Sequence, residues 1–328
     1  TVKQTQPLVE GQGLFELPVE IRIDTKSKTM LDTVWVEHET DHFSLKVDEN
    51  PQMVSFDGRG ALIKDLIFEK NPDELIYQLL HDQLPGRLWA LHQLVQRYPS
   101  KPQILEAIRF SLGSNASWWL KAEATLQLQH IHTPAGEQLL LQQLEANDYH
   151  IRKAAAIALG SHFTKASSEA LRKSIETDDQ ADVAAAAILS LAKIDTSLPP
   201  RFFKDQISQH CWYDELRIAS LAAVERLGSE KFVPLIKENF STEYNMAVRQ
   251  QALSAWAACH PADPQLVDAL IASAKKEVLR VRQKAISLLG KLKVNRAVPI
   301  LQELSRKDGD SDIQKAAKDA LTEIRRMH

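Results

Sequence analysis

The amino-acid sequence predicts segregated domains of the α+β class: a small N-terminal β-sandwich over residues 1–70, then an all-α α-α solenoid of about eight helix pairs over residues 71–328. Three observations carry this reading. Apolar and polar residues alternate with period two through the first seventy positions, and then the alternation stops. From Pro72 onward the apolar spacing is helical. Across the helical region a single pattern returns at a near-constant interval, as in arrays whose units bury their faces only against their neighbours.

Strand-like sequence begins in GLFELPVEIRID, where Phe15, Leu17, Val19, Ile21 and Ile23 alternate with Glu16, Pro18, Glu20, Arg22 and Asp24. One face of such a strand is buried, and Pro18 suits an edge position because it cannot donate to a ladder. A polar turn at residues 25–29 leads to a second strand around residues 33–37. A third is expected at Phe43, Leu45 and Val47, before the turn Asp48-Glu49-Asn50-Pro51. Val54 and Phe56 run into Asp57-Gly58-Arg59-Gly60, a sequence with hairpin chemistry, and residues 62–68 read as the last strand. Five short strands with turns every eight to twelve residues predict an Ig-like sandwich.

The helical repeat is clearest in Ile151–Gly160, IRKAAAIALG. With Arg152 as reference, the same position recurs at Arg87, Lys121, Ala184, Arg217, Arg249, Arg282 and Gln314, at intervals of 34, 31, 32, 33, 32, 33 and 32 residues. The preceding position is apolar in every repeat but the first, which has Gly86. Three residues after the reference stand seven alanines and Ser220; seven after it stand Leu94, Leu128, Leu159, Leu191, Val224, Trp256, Leu289 and Leu321. These offsets form one helical stripe, and its small central residue lets a neighbouring helix come close. The first helix of a repeat is often announced by proline: Pro102, Pro134, Pro199 with Pro200, and Pro264. Pro234 and Pro299 read as lying inside their first helices, which they would bend at a cost of roughly 3 kcal/mol. Turns at Asn147-Asp148 and at Asp214 can cap second helices. These helix pairs resemble short HEAT-like repeats, and neither the tetratricopeptide nor the ankyrin signature is present.

Composition narrows the function classes. Formal net charge is −3, which gives no overall pull toward nucleic acid or an acidic membrane, and neither is expected as a partner. Two cysteines imply no disulfide framework. No apolar run approaches a membrane span and no signal pattern opens the chain, so a cytoplasmic location is expected. The chain nevertheless reads as a fragment of something longer, whose own leader would lie upstream.

Four groups of residues invite chemistry. His38-Glu39-Thr40-Asp41-His42 matches H-E-x-x-H, but that zinc site needs a helix to bring two imidazoles to one face. Here both flanks are strand-like, Thr40-Asp41 reads as a turn, and Ala61 stands about where a third ligand would fall; no catalytic or metal-ligating residue is assigned. His210-Cys211 and Cys259-His260 lie at different ends of their helices and read as structural thiols. The repeated bases Arg152, Arg217, Arg249 and Arg282 can bind an anion or form a ladder with acids of adjacent turns such as Asp148 and Asp214; the ladder is the expectation. The basic stretch from Lys275 to Arg296 reads as a solvated face.

A fifth group points to contact. At the turn entering the second helix aromatics accumulate: Trp118 and Trp119, Tyr149 and His150, Trp212 and Tyr213, and Tyr244. Stacked repeats would place them on one edge, beside helix N-termini. Aromatics repeated along a ridge are what contact surfaces use.

The layout also resembles a family. The run LFELPVEIRID, followed by TVWVEHETDHFSLKVDENPQMVSFDGRGALIKDLIFEK, is similar to the β-sandwich that follows the catalytic domain of M1-family zinc aminopeptidases, with Phe15–Val19 and Pro51–Asp57 as the matching segments. A HEAT-like C-terminal domain follows in that family too. The resemblance implies a non-catalytic C-terminal region that covers the active-site cavity and controls peptide access. Its partners would be the parent's upstream catalytic domain and peptide substrates, with zinc in the parent and no cofactor in this chain. The family's G-x-M-E-N and helical H-E-x-x-H are absent here, so no catalytic residue carries over. The alternative is a HEAT-repeat scaffold or docking module of a catalytically dead M1-like protein.

Overall fold

The computed structural model describes residues 1–6, 13–113, 116–209 and 214–326. It divides into two compact units, residues 1–158 and 159–328.

Among the described residues the first unit opens with five short strands: β1 (Val2–Lys3), β2 (Leu17–Asp24), β3 (Thr29–Val36), β4 (Thr40–Asp41) and β5 (Met53–Phe56). They form a two-stranded ladder β1-β4 and a three-stranded antiparallel sheet in the order β3-β2-β5. Val19, Ile21, Ile23, Val34 and Val36 make its buried face. Pro18 sits in the central strand, yet β5 pairs only with Ile21–Asp24, so Pro18 faces a ladder on one side alone, opposite Trp35. The proline rule for edges therefore holds locally.

The expected five-stranded sandwich is not what forms among the described residues. Phe43–Val47 and Leu62–Phe68 belong to no ladder, although Phe43, Leu45, Val47 and Leu62 do pack onto the sheet core. Asp57 explains the second departure. It adopts a left-handed φ of 51°, and its carboxylate accepts the N–H groups of Ala61 and Leu62 at 3.0 and 2.9 Å and the Lys64 ammonium at 2.5 Å. Lys64 and these N–H groups hold the carboxyl below its usual range against the opposing effect of burial. The chain is thus led away from β5 rather than folded back along it. Thr40-Asp41, read as a turn, is β4; the bend lies one step earlier, at residues 38–39.

A buried polar network joins this sheet to the first helices, α1 (Pro72–His81) and α2 (Leu84–Arg97). Asp82, which closes α1, accepts Ser55 Oγ at 2.7 Å, Gln78 Nε2 at 2.9 Å and Arg22 Nη1 at 3.4 Å. Lys70, fully enclosed, donates to Val54 O, to Gln78 Oε1 at 2.8 Å and to Glu74 Oε1 at 2.9 Å. Burial pushes the Lys70 ammonium below its usual range, and Glu74 opposes that shift. Every charge in the network has a partner, the condition under which buried ions are tolerated.

The remaining helices of the first unit are α3 (Pro102–Ser111), α4 (Trp118–Gln127), α5 (Pro134–Gln143) and α6 (Tyr149–Leu159), whose last residue falls at the boundary. The second unit holds α7 (Lys165–Thr177), α8 (Ala181–Ile194), α9 (Pro200–Ile207), α10 (Glu215–Leu227) and α11 (Val233–Glu238). It continues with α12 (Met246–Cys259), α13 (Pro264–Lys276), α14 (Leu279–Lys291), α15 (Val298–Lys307) and α16 (Ser311–Arg325). Among the described residues these make eight pairs, and the even-numbered members are the stripe helices. Inner helices stack on one another: α2 on α4, and α8, α10, α12, α14 and α16 in succession. The stripe is buried within each unit. Ala90, Ala124, Ala155, Ala187, Ala252, Ala285, Ala317 and Ser220 are all at 0% exposure.

Prolines start the outer helices at Pro72, Pro102, Pro134, Pro200 and Pro264. Pro234 and Pro299 do not bend a helix interior, as the sequence suggested. Each stands in the first turn of its α-helix, after a 3-10 turn at Glu230–Phe232 or Asn295–Ala297. No intrahelical donor is lost there, so the interior penalty does not apply.

Candidate docking surface

Inner helices begin at the turn where the aromatics were expected. In the first unit α4 starts at Trp118 behind the cap Ser117, whose Oγ accepts Leu120 N–H. α6 starts at Tyr149 behind Asp148, whose carboxylate accepts the backbone N–H of His150 at 2.9 Å and lies 2.9 Å from its Nδ1. The caps fix the first turns, and the first turns fix the rings. Trp118 stacks on His150 at 4.3 Å between centroids, His150 meets Tyr149 at 3.9 Å, and Trp119 lies 6.3 Å from Trp118. The four rings form one continuous group, with Trp118 49%, Trp119 55% and Tyr149 36% exposed. Folding alone places such rings in a core, and contiguous exposed aromatic surface marks a contact site.

Tyr244, in the second unit, is half-buried beneath Arg217, whose guanidinium sits 4.3 Å from its ring centre. Trp212 and Tyr213, with His210 and Cys211, lie outside the described residues. Three aliphatic residues that the aromatic pattern does not reveal occupy the same kind of position: Met246 opens α12, Leu279 opens α14 and Val278 precedes it, all exposed. The signal was available in the repeat register, since Met246 and Leu279 align with Trp118 and Tyr149.

The repeated arginines form a ladder. Arg217 bonds Asp214 at 3.1 Å, as expected, and reaches Asn239. Arg249 pairs with Glu277, and Arg282 with Asp308. Asn239, Glu277 and Asp308 are the closing residues of α11, α13 and α15, so each arginine clamps the outer helix of the next repeat. Arg152 donates to the carbonyls of Ala146 and Asn147 at 3.1 Å each. A cation at a helix C-terminus also complements its dipole.

His38-Glu39-Thr40-Asp41-His42 lies in a bend and a two-residue strand, not a helix. Asp41 accepts the N–H groups of Glu37 and His38 at 2.9 Å and holds His38 Nδ1 at 2.8 Å. That hydrogen bond raises the His38 pKa above its ordinary value. His42 is turned to Thr1 Oγ1 at 2.9 Å. The two imidazoles therefore serve different partners. Cys259 is buried, its thiol directed at Val224 O at 3.5 Å, and burial pushes it up to about 11. Such a thiol is unreactive at neutral pH. No helix of the described residues is long and apolar enough to cross a membrane.

Comparison with known proteins agrees with the repeat geometry. The family model of HEAT repeats matches residues 104–192 and 245–322, together half of the chain. No curated protein matches it. Among solved structures the chain is similar to the YibA protein of Escherichia coli, at 17% identity over 72% of this chain and 96% of that one, with a TM-score of 0.52. It is also similar to a homology model of the full-length AP-3 complex in an intermediate open conformation, at 17% identity over 77% of this chain and 50% of that chain, with a TM-score of 0.53. The complex of CpcE and CpcF of phycocyanin lyase from Nostoc is a looser likeness, at 19% identity over 80% and 91% of the two chains and a TM-score of 0.37. By its repeats, its register and the matching family model, the chain belongs to the HEAT-repeat family.

Proposed function

We propose that this chain is a non-catalytic docking scaffold, and that its contact surface is the aromatic group of Trp118, Trp119, Tyr149 and His150. The single observation behind the proposal is that these rings are stacked on one another and open to solvent at the starts of two adjacent inner helices. Large rigid side chains give contact area at small entropic cost, which is why Trp and Tyr dominate binding hot spots. The occupant is a protein surface or peptide segment of the larger assembly to which the chain belongs.

A finer reading makes that assembly an M1-type zinc aminopeptidase, with this chain covering the cavity and limiting peptide access. It is supported by the two segments that resemble the family. Phe15–Val19 runs into the start of β2, and Pro51–Asp57 contains β5, which pairs with the later part of β2 at Ile21–Asp24 and meets Asp82 through Ser55. The HEAT-repeat match speaks for the helical region and is silent on a peptidase.

Substituting Trp118→Ala and Trp119→Ala in the full-length protein tests the surface. The expected result is weaker peptide affinity or looser docking of the rest of the protein, with the melting temperature of this chain unchanged within about a degree. Unchanged docking and affinity in the double variant overturns it. Zinc-dependent release of N-terminal residues from peptides by the full-length protein tests the finer reading separately; its absence leaves the scaffold alone.

A further inference from the structure

The second unit carries an exposed edge of a different chemistry. α12 and α14 are adjacent inner helices, and their first turns lie side by side: Arg249 pairs with Glu277, and Gln250 Nε2 donates to Arg280 O at 2.8 Å. Met246, Val278 and Leu279 stand on these turns at 47%, 49% and 40% exposure. Val278 breaks a local rule. It holds the N-cap of α14 with no side-chain hydrogen bond, where Asn245 caps α12 and Asp310 caps α16. An apolar N-cap forgoes the side-chain hydrogen bond that Asn or Asp supplies to the first turn, so folding alone does not account for valine there.

The same edge is cationic. Lys275 and Lys276 end α13 and Arg280 sits in the first turn of α14; all three are exposed and make no ion pair among the described residues. The neighbouring Arg249 and Arg282 are instead neutralised by Glu277 and Asp308. The cationic stretch has limits: Glu243 precedes α12, and Asp310 and Asp312 open α16. Three apolar side chains beside three unpaired cations are complementary to a segment that offers both carboxylates and apolar anchors.

We propose that the α12–α14 edge docks an acidic peptide segment bearing two leucine-like anchors. Neighbouring helix axes lie about 8–10 Å apart, and a polyproline II segment advances about 9 Å in three residues while returning to the same face, so anchors at i and i+3 reach Met246 and Leu279 together. Nucleic acid is the rival occupant of any basic edge. It is disfavoured because the anchors are aliphatic and the nearby Tyr244 ring is already covered by Arg217, which leaves no free platform for base stacking among the described residues of this edge. The proposal uses none of the aromatic group's residues and does not depend on it.

The test uses the whole chain and a fluorescein-labelled peptide bearing Glu-Leu-Asp-Glu-Leu-Asp. Binding is expected to weaken with salt and to fall about tenfold or more when the leucines become alanines or the acids become lysines. Val278→Ser with Leu279→Ser should lower binding by a similar factor without lowering the melting temperature, because serine supplies the missing cap. Lys275→Glu with Lys276→Glu should do the same by reversing the charge. Equal binding of the alanine peptide, unchanged binding by both double variants, or tighter binding of a single-stranded oligonucleotide each overturns the proposal. Trp118 and Trp119 variants should leave this binding intact, so its failure and that of the aromatic surface are distinguishable.

Discussion

Arg282 of α14 reaches out of its own repeat to Asp308, the residue that closes α15 in the next. Its Nε meanwhile donates to Ala274 O at 3.0 Å, at the end of its own outer helix. One guanidinium thus fastens an inner helix to two outer helices, which its planar fork of donors permits and an ammonium does not. Arg249 and Arg217 repeat the outward half of the arrangement with Glu277 and Asn239.

Breaking that link should loosen the C-terminal repeats. Hydrogen bonds to charged groups contribute about 1.5–3 kcal/mol when partly buried, and both side chains here are largely covered. Arg282→Ala and Asp308→Asn are each expected to destabilise the second unit by about 1–3 kcal/mol, read by denaturant unfolding and by faster amide exchange in α15 and α16. A loss below about 0.5 kcal/mol would mean the pair behaves as a screened surface ion pair.

Gly290 tests the close approach of inner helices. A Cβ added there would lie 2.7 Å from the Ala320 Cα of α16, a backbone atom that cannot step aside. Gly290→Ala gains up to about 1 kcal/mol of helix propensity, and overpacking costs about 1–3 kcal/mol. The clash should win, lowering the melting temperature. A more stable variant would show that α14 and α16 have slack. Ala285→Leu and Ala155→Leu, which fill the same stripe, should destabilise by a similar amount.

These contacts also show why some regions of the molecule were legible in sequence. Every repeat must bury the same stripe, so Ala155 and its counterparts announce the register, the pairing of helices and their number. The strands were legible only as alternation. Leu62, Leu66 and Phe68 do alternate in burial with Ile63 and Ile67, yet alternation reports which side faces a core, and Asp57 decides that no ladder forms. The arginine ladder was visible where partners are close in sequence, as with Asp214, and hidden where Arg249 and Arg282 cross 28 and 26 residues. Of the candidate surface, the ring positions at 118, 119, 149 and 150 could be read off; their mutual stacking depends on capping by Ser117 and Asp148.

His92 offers a test by pH. Its Nε2 lies 2.8 Å from Glu123 Oε1, joining α2 to α4. The hydrogen bond to Glu123 raises the His92 pKa above its ordinary value and, reciprocally, lowers that of Glu123. A raised histidine pKa in the folded state gives stability that is fully present below the unfolded value, about 6.5, and is lost as pH rises through the folded value. The first unit should therefore lose a small increment of stability on passing from mildly acidic to mildly alkaline pH. Glu123→Gln should flatten that step, and an unchanged step in Glu123→Gln would assign it to another group.

Zinc provides a further test, at residues 38–42. Two histidines four residues apart share a metal only when a helix stacks them on one face. Here the chain bends at residues 38–39 and then forms β4. Asp41 ties up His38 through its side chain and its N–H, while His42 meets Thr1. Binding zinc would require giving up these contacts and refolding the bend, and Ala61 supplies no third ligand. The purified chain is therefore expected to hold no stoichiometric zinc after dialysis and to release no aminoacyl product from peptide substrates. Glu39→Gln, which removes the only residue the motif could use as a base, should change nothing. One equivalent of tightly held zinc that disappears in His38→Ala would defeat this reading and return residues 38–42 to the candidate sites.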